Sequence, residues 1–271
     1  MLSISGCGLF TQGNDKETLV IGATPWSSTI PPTNIVATIL EEHLDYDVQI
    51  QEVDVGTVYS GLATGDIDIF VDAWLPNMHG NYMQEYGDRI DEISVSYTEG
   101  ILGWVVPTDS KVESIAELND YRDEFGGQII GIDAGAGMME TSQQIIDEYD
   151  LDYELVEGSE WAMLTEVSRQ FDRGNSVLFL GWRPHWMFAE YDLKFLEDPK
   201  GLWQQDEVRN LATKGLAERA PEAVAFLKNW QMPIDDLEDM IRRMELENED
   251  IDVLVAEWLQ ENESLVQEML P

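Results

Sequence analysis

The chain carries one pattern of elements twice, at an offset of about 109 residues. Gly65-Asp-Ile-Asp-Ile-Phe-Val-Asp-Ala-Trp74-Leu-Pro76 is the first copy, and Gly174-Asn-Ser-Val-Leu-Phe-Leu-Gly-Trp182-Arg-Pro184 is the second. Each reads as a turn glycine, a short apolar β-run, and Trp-x-Pro where the chain leaves the strand. The echo reaches further upstream. Leu19–Gly22 and Gln128–Gly131 read as buried strands entering loops at 23–32 and 132–137. Amphipathic helices follow near Thr33–Glu42 and Met138–Tyr149, then second strands at Val48–Val53 and Tyr153–Val156. Helices at Val58–Ala63 and Ala162–Asp172 precede the turn glycines. Few residues are identical between the halves, so the repeat is one of pattern.

Strand–helix–strand–helix–strand implies parallel α/β units with right-handed crossovers. Two such halves make an α/β protein of two lobes. The expected boundaries are an N-terminal segment 1–17, a first lobe of 18–104 and 208–271, and a second lobe of 105–207. Tyr97–Val106 reads as the first crossing, and a return lies near Asp198–Thr213. Tail helices at Pro221–Trp230, Asp235–Glu245 and Ile251–Met269 are expected to pack back on the first lobe. Ligands of open α/β sheets sit beyond the carboxyl ends of the strands. Both Trp-x-Pro segments fall at such ends, so the cleft between the lobes is the expected site.

An isolated tryptophan usually caps its own core. Matched placement in both halves instead points Trp74 and Trp182 at a shared cleft. Two indoles suit a ligand that is apolar, cationic and unable to donate a hydrogen bond. A quaternary ammonium is such a group, because its charge is spread over methyls that the negative face of an indole attracts.

Charge narrows the partners. The chain has 54 acidic against 15 basic residues, a net charge of −39, spread along its length. That disfavours nucleic acid and anionic membrane surfaces. With 44% apolar and 10% aromatic residues the chain is not acidic disorder. The reading is a solvated surface suited to high salt, and the six lysines fit it. The single cysteine, Cys7, excludes an internal disulfide. Leu2-Ser-Ile-Ser-Gly-Cys7 resembles a bacterial lipoprotein cleavage site, although the apolar stretch ahead of it is shorter than a signal core. Thr11–Glu17 reads as a polar tether. A lipid anchor on Cys7 and an extracytoplasmic, membrane-attached location are therefore expected.

Chemistry is sparse. His43, His79 and His185 are scattered, so no metal site is expected. His43 reads as a helix end and His79 as a loop or cap residue. There is no Gly-x-Ser-x-Gly, His-Glu-x-x-His or P-loop, and Gly131–Gly137 lacks dinucleotide-binding spacing. No catalytic residue and no cofactor are expected.

Gly181-Trp-Arg-Pro-His-Trp-Met-Phe-Ala-Glu-Tyr-Asp-Leu-Lys-Phe-Leu-Glu-Asp-Pro-Lys200 resembles the matching stretch of glycine betaine-binding proteins of ABC importers, the OpuAC type. Asp72-Ala-Trp-Leu-Pro76 with His79, Gly131–Gly137, Trp26 with Thr33-Asn34, and Thr213–Leu216 with Pro221-Glu-Ala223 extend the resemblance from about Leu19 to the C-terminus. It implies a two-lobed periplasmic-binding-protein fold (type II) that closes on its ligand, and a cage of three tryptophans. Carried over, two of these are Trp74 and Trp182, and the third falls on Met232. Methionine offers a thioether but no indole face, so Trp26 or Trp161 is a candidate to complete the cage. The resemblance places the ligand carboxylate on the main-chain amides of Thr29 and Ile30. Amides near a helix N-terminus favour an anion, and Pro31 and Pro32 supply none. His185 is a further candidate donor. The implied function is a monomeric substrate-binding protein that delivers glycine betaine, or a related quaternary ammonium osmolyte, to an ABC permease. Choline, carnitine and proline betaine are the rival ligands. A ligand-sensing receptor domain and a betaine- or choline-modifying enzyme are the rivals of other classes.

Overall fold

The computed structural model describes residues 16–98 and 100–271, so Cys7 lies outside the described residues. In chain order the strands are β1 (Thr18–Ala23), β2 (Asp47–Glu52), β3 (Ile69–Leu75), β4 (Ile90–Tyr97), β5 (Ile101–Pro107), β6 (Gln128–Ile130), β7 (Glu154–Val156), β8 (Phe179–Arg183), β9 (Leu193–Phe195) and β10 (Glu207–Thr213). They form two five-stranded sheets, ordered β2-β1-β3-β10-β4 and β7-β6-β8-β5-β9. In the first, β1 runs parallel to β2 and β3, while β10 is antiparallel to β3 and β4. In the second, β6 runs parallel to β7 and β8, while β5 is antiparallel to β8 and β9. The sheets share one plan. Each has three parallel strands, joined by a strand that has just arrived from the other lobe.

That plan moves the first lobe boundary. β5 pairs with β8 from Ile101↔Arg183 to Val105↔Phe179. The crossing therefore falls between Tyr97 and Ile101, ahead of the expected 104, because the apolar run from Ile101 onward is already a strand of the second sheet. The return is complete at Glu207, where β10 begins.

The helices that follow the parallel strands are α1 (Ile30–Glu42), α2 (Val55–Thr64), α3 (Gly80–Tyr86), α4 (Gly137–Tyr149) and α5 (Glu160–Asp172). α1 starts three residues before the apolar periodicity does. Pro31 and Pro32 occupy its first turn, where a preset φ helps and an N–H is not needed. Asp54 caps α2 by accepting from the Thr57 N–H, and Ser159 caps α5 by accepting from the Ala162 N–H. α2 stops at Gly65, whose φ of 82° only glycine adopts cheaply. β3 is buried along its whole length, as expected for a strand covered on both faces. Ile69, Phe70 and Val71 are fully buried, each worth about 1.5–3 kcal/mol.

The tail forms helices Pro221–Asn229, Ile234–Leu246, Ile251–Glu261 and Glu263–Met269. The first packs on β4 and the third on α1, which returns the tail to the first lobe. The run expected as one helix over 251–269 breaks at Asn262. There ψ rises to 23°, and the Asn262 backbone N–H and side-chain amide both donate to the Trp258 carbonyl, closing the helix. Among the described residues no helix is long and apolar enough to cross a membrane.

Candidate ligand-binding site

A narrow cavity lies where the two lobes face each other, with about 350 Å³ of empty space that includes the open solvent at its mouth. Trp26, Ser28, Trp74, Met78 and His79 line it from the first lobe, and Leu102, Ile132, Ala136, Gly137, Met138 and Trp182 from the second. Trp74 stands at the end of β3 and Trp182 near the end of β8. Each is followed by a cis X–Pro bond, Leu75–Pro76 and Arg183–Pro184. Trp26 comes from the loop between β1 and α1. A Cβ on Gly100 would lie 2.6 Å from the Trp74 ring, so the glycine at the crossing lets that indole sit where it does.

The indoles are anchored from behind. Trp74 Nε1 donates to Asp72 Oδ1 at 3.2 Å, and the Thr29 hydroxyl donates to Asp72 Oδ2 at 2.7 Å. Asp72 is completely buried, and burial pushes its carboxyl up to about 7. Trp26 Nε1 donates to Asp133 Oδ2 at 3.2 Å, a bond from one lobe to the other. Trp182 meets the His185 ring edge to face, with centroids 4.6 Å apart.

His185 is committed elsewhere than to a ligand. Its Nδ1 accepts from the Met187 N–H at 3.0 Å, which leaves the ring proton on Nε2. Nε2 then donates to Glu160 Oε1 at 2.9 Å. Both nitrogens are used, so the expected role of His185 as a carboxylate donor does not fit the geometry. Glu160, unremarked in the sequence, also accepts from the Ser27 N–H of the opposite lobe at 3.1 Å.

His79 is the histidine with a proton to offer. Its Nδ1 accepts from the Trp74 N–H at 3.1 Å, again placing the ring proton on Nε2. Burial lowers its pKa to about 3, so the ring is neutral. It lines the cavity and stacks with Trp26, centroids 6.0 Å apart. Asp206, buried at the return crossing, accepts from the Asn77 and Met78 amides at 2.8 Å each and so shapes the loop that carries His79. His79 does stand at the N-cap position of α3, as the loop-or-cap reading expected, but that reading did not see that it also lines the cavity. The signal was a histidine shortly after Trp-x-Pro in both copies of the repeat.

Two helices begin at the cavity from opposite lobes, α1 and α4, and neither has a side-chain cap. Their N-terminal dipoles favour an anion there. The expected amide of Thr29 is spent, however: a tight turn has it donate to the Trp26 carbonyl at 3.0 Å. Ser28, not Thr29 or Ile30, forms the wall. Met232 and Trp161 also lie away from the cavity. The helix Pro221–Asn229 packs on β4, and Met232 N–H is tied to the Ser96 carbonyl of that strand at 3.2 Å. Trp161 is 56% exposed, next to the buried Glu160 in the first turn of α5. The third indole of the cavity is Trp26.

Residues 17–261 match the family of the substrate-binding domain of ABC-type glycine betaine transport systems. The chain belongs to this family. Among its relatives, the glycine betaine/carnitine transport binding protein GbuC of Listeria monocytogenes serotype 1/2a is 32% identical over 173 residues. That match covers 61% of this chain and 57% of the Listeria protein, so the likeness spans little more than half of that relative's length. The glycine betaine/proline betaine-binding periplasmic protein of Escherichia coli K12 is 24% identical over 264 residues, 80% of this chain and 78% of that protein. The crystal structure of lactococcal OpuAC, closed with glycine betaine, superposes with a TM-score of 0.88 at 28% identity. It covers 94% of this chain and all of that one. The fold is thus the two-lobed α/β fold of periplasmic binding proteins. As a member of a family of transporter substrate-binding proteins, the chain is a binding protein and not an enzyme.

Proposed function

We propose that the protein captures glycine betaine, or a related quaternary ammonium osmolyte, between its lobes and delivers it to the permease of an ABC importer. The observation that carries this reading is the meeting of Trp26, Trp74 and Trp182 around one cavity. A trimethylammonium has no N–H to select by, but each desolvated ring face is worth about 0.5–2 kcal/mol to it. The neutral His79 Nε2–H and the loop at Ser28, just ahead of the uncapped α1, supply donors for a carboxylate at the other end. A zwitterion of this kind matches both halves of the site. The relatives named for glycine betaine support the same class.

The ligand touches both lobes, so its binding energy favours the closed form, and the closed surface is what the permease reads. The protein works outside the cytoplasm as a monomer, held to the membrane by a lipid on Cys7, with a surface charged for high salt. Metabolic labelling with a fatty acid, lost in Cys7→Ala, tests the anchor. Titration at high salt followed by tryptophan fluorescence tests the ligand, with glycine betaine, proline betaine, carnitine and choline in parallel. A saturable response to glycine betaine is expected. No response of folded protein to any of the four overturns the reading.

A further inference from the structure

Two of the three wall indoles end on a carboxylate. Trp74 Nε1 donates to Asp72 and Trp26 Nε1 to Asp133, both at 3.2 Å. Indole has one N–H and no acceptor, so that bond is the ring's single polar handle. A neutral acceptor or water would satisfy it. An anionic acceptor does more, because it polarises the N–H and drives electron density into the ring, making the face more negative. Asp72 is held rigidly for this, since its second oxygen is taken by the Thr29 hydroxyl. The groups acting on it are Thr29, Trp74 and Glu160, so no lysine or arginine offsets its charge. Asp133 belongs to the second lobe and Trp26 to the first, so their bond forms only as the lobes meet.

We propose that Asp72 and Asp133 are positioning residues that set the charge selectivity of the cage, making the faces of Trp74 and Trp26 prefer a cation to an uncharged group of the same shape. Asp72 acts within the first lobe, as the anion that a bound cation favours over the buried acid. Asp133 acts on closure, so the ring it polarises completes the cage only when the lobes meet. The inference rests on the reading that an ammonium occupies the cavity.

The test compares glycine betaine with 3,3-dimethylbutanoate, which keeps the shape and carboxylate but replaces the nitrogen by carbon. Dissociation constants for both are measured by calorimetry at one pH and salt on wild type, Asp72→Asn and Asp133→Asn. Asparagine keeps an oxygen for the indole N–H and removes the charge; at Asp72 its NH2 also replaces the oxygen that accepts from Thr29, whose hydroxyl must turn to accept. Wild type is expected to prefer the betaine by about tenfold or more. Each variant is expected to lose about three- to tenfold for the betaine with little change for the isostere, so the ratio falls. A structural role alone would weaken both ligands alike and leave the ratio intact, and that result in both variants overturns the proposal. Equal binding of the two ligands by wild type also overturns it. Wild type that binds neither overturns instead the quaternary ammonium reading beneath it. Asp133 lies in a partly exposed loop, so its variant carries the test even if Asp72→Asn does not fold.

Discussion

The carbonyl oxygen of Met78 approaches Gly137 so closely that a Cβ on the glycine would stand 1.9 Å from it. Met78 belongs to the first lobe and Gly137 opens α4 of the second. The missing side chain is therefore a requirement of the closed form and of neither lobe alone. Gly137→Ala should leave both lobes folded, since alanine is the better helix former. It should hold the lobes apart and weaken ligand binding by about tenfold or more. Calorimetry and small-angle scattering with ligand check this. Normal affinity with normal compaction would remove the steric argument.

The third indole gives a contrast between two substitutions. Trp26→Ala should weaken glycine betaine by about 1–3 kcal/mol, the loss of one desolvated ring face and its contacts. Met232→Leu, at the position that family resemblance suggested, should change the dissociation constant by no more than about twofold, as a volume-conserving swap in a core. If Met232→Leu is the damaging change and Trp26→Ala the silent one, the assignment is reversed.

His79 should read the carboxylate rather than the ammonium. A hydrogen bond to a charged group contributes about 1.5–3 kcal/mol. His79→Phe should therefore reduce the preference for glycine betaine over choline by about tenfold or more. Because burial lowers its pKa to about 3, the ring stays neutral, and any step in wild-type affinity between about pH 6 and 8 should belong to Asp72 and survive His79→Phe. A step there, abolished by His79→Phe, would count against a permanently neutral donor.

Asp72 makes stability depend on pH in the direction opposite to most buried carboxylates in ion pairs. Its pKa rises from 3.8 to about 7 on folding, mainly through burial, against bonds from Thr29 and Trp74 and with Glu160 adding to the rise. Tyr59 and Tyr97 also feel it, but their hydroxyls are pushed well above 10 and stay neutral. The folded form favours the protonated acid. Its contribution is complete below about pH 4 and is lost as the pH rises through about 7. Asp72→Asn should thus gain on wild type in urea stability between pH 4 and pH 8. A bound cation favours the ionised form, so ligand binding near pH 7 should release protons. Calorimetry in buffers of different ionisation enthalpy measures that release, and its absence in wild type would mean the cation does not feel Asp72.

The repeat of strand and Trp-x-Pro made the two sheets, the cleft, Trp74 and Trp182 legible, because periodicity and turn residues act locally. What escaped depends on which amide or ring nitrogen the folded backbone has already used. Thr29 and His185 were sound as residue types, yet a tight turn takes one and Met187 with Glu160 takes the other. His79 and Ser28 were left free by the same bookkeeping. Asp72 and Glu160 were hidden among 54 acids, and only burial distinguishes them. Met232 followed from the family resemblance, which cannot say that the segment after a helix turns toward Ser96.

Several bonds between the lobes involve no ligand: Ser27 to Glu160, Trp26 to Asp133, and the Tyr82 hydroxyl to the Gly135 carbonyl at 2.8 Å. They give the closed form an energy of its own, so the ligand has only to tip a balance. Affinity can then be adjusted at a distance from the cage. Replacing Tyr82 by phenylalanine removes one such bond without touching an indole. In a fluorescent reporter built on this scaffold, that change would lower the signal of the empty protein and shift the working range to higher ligand concentrations, while leaving the order of preference among ligands as it was.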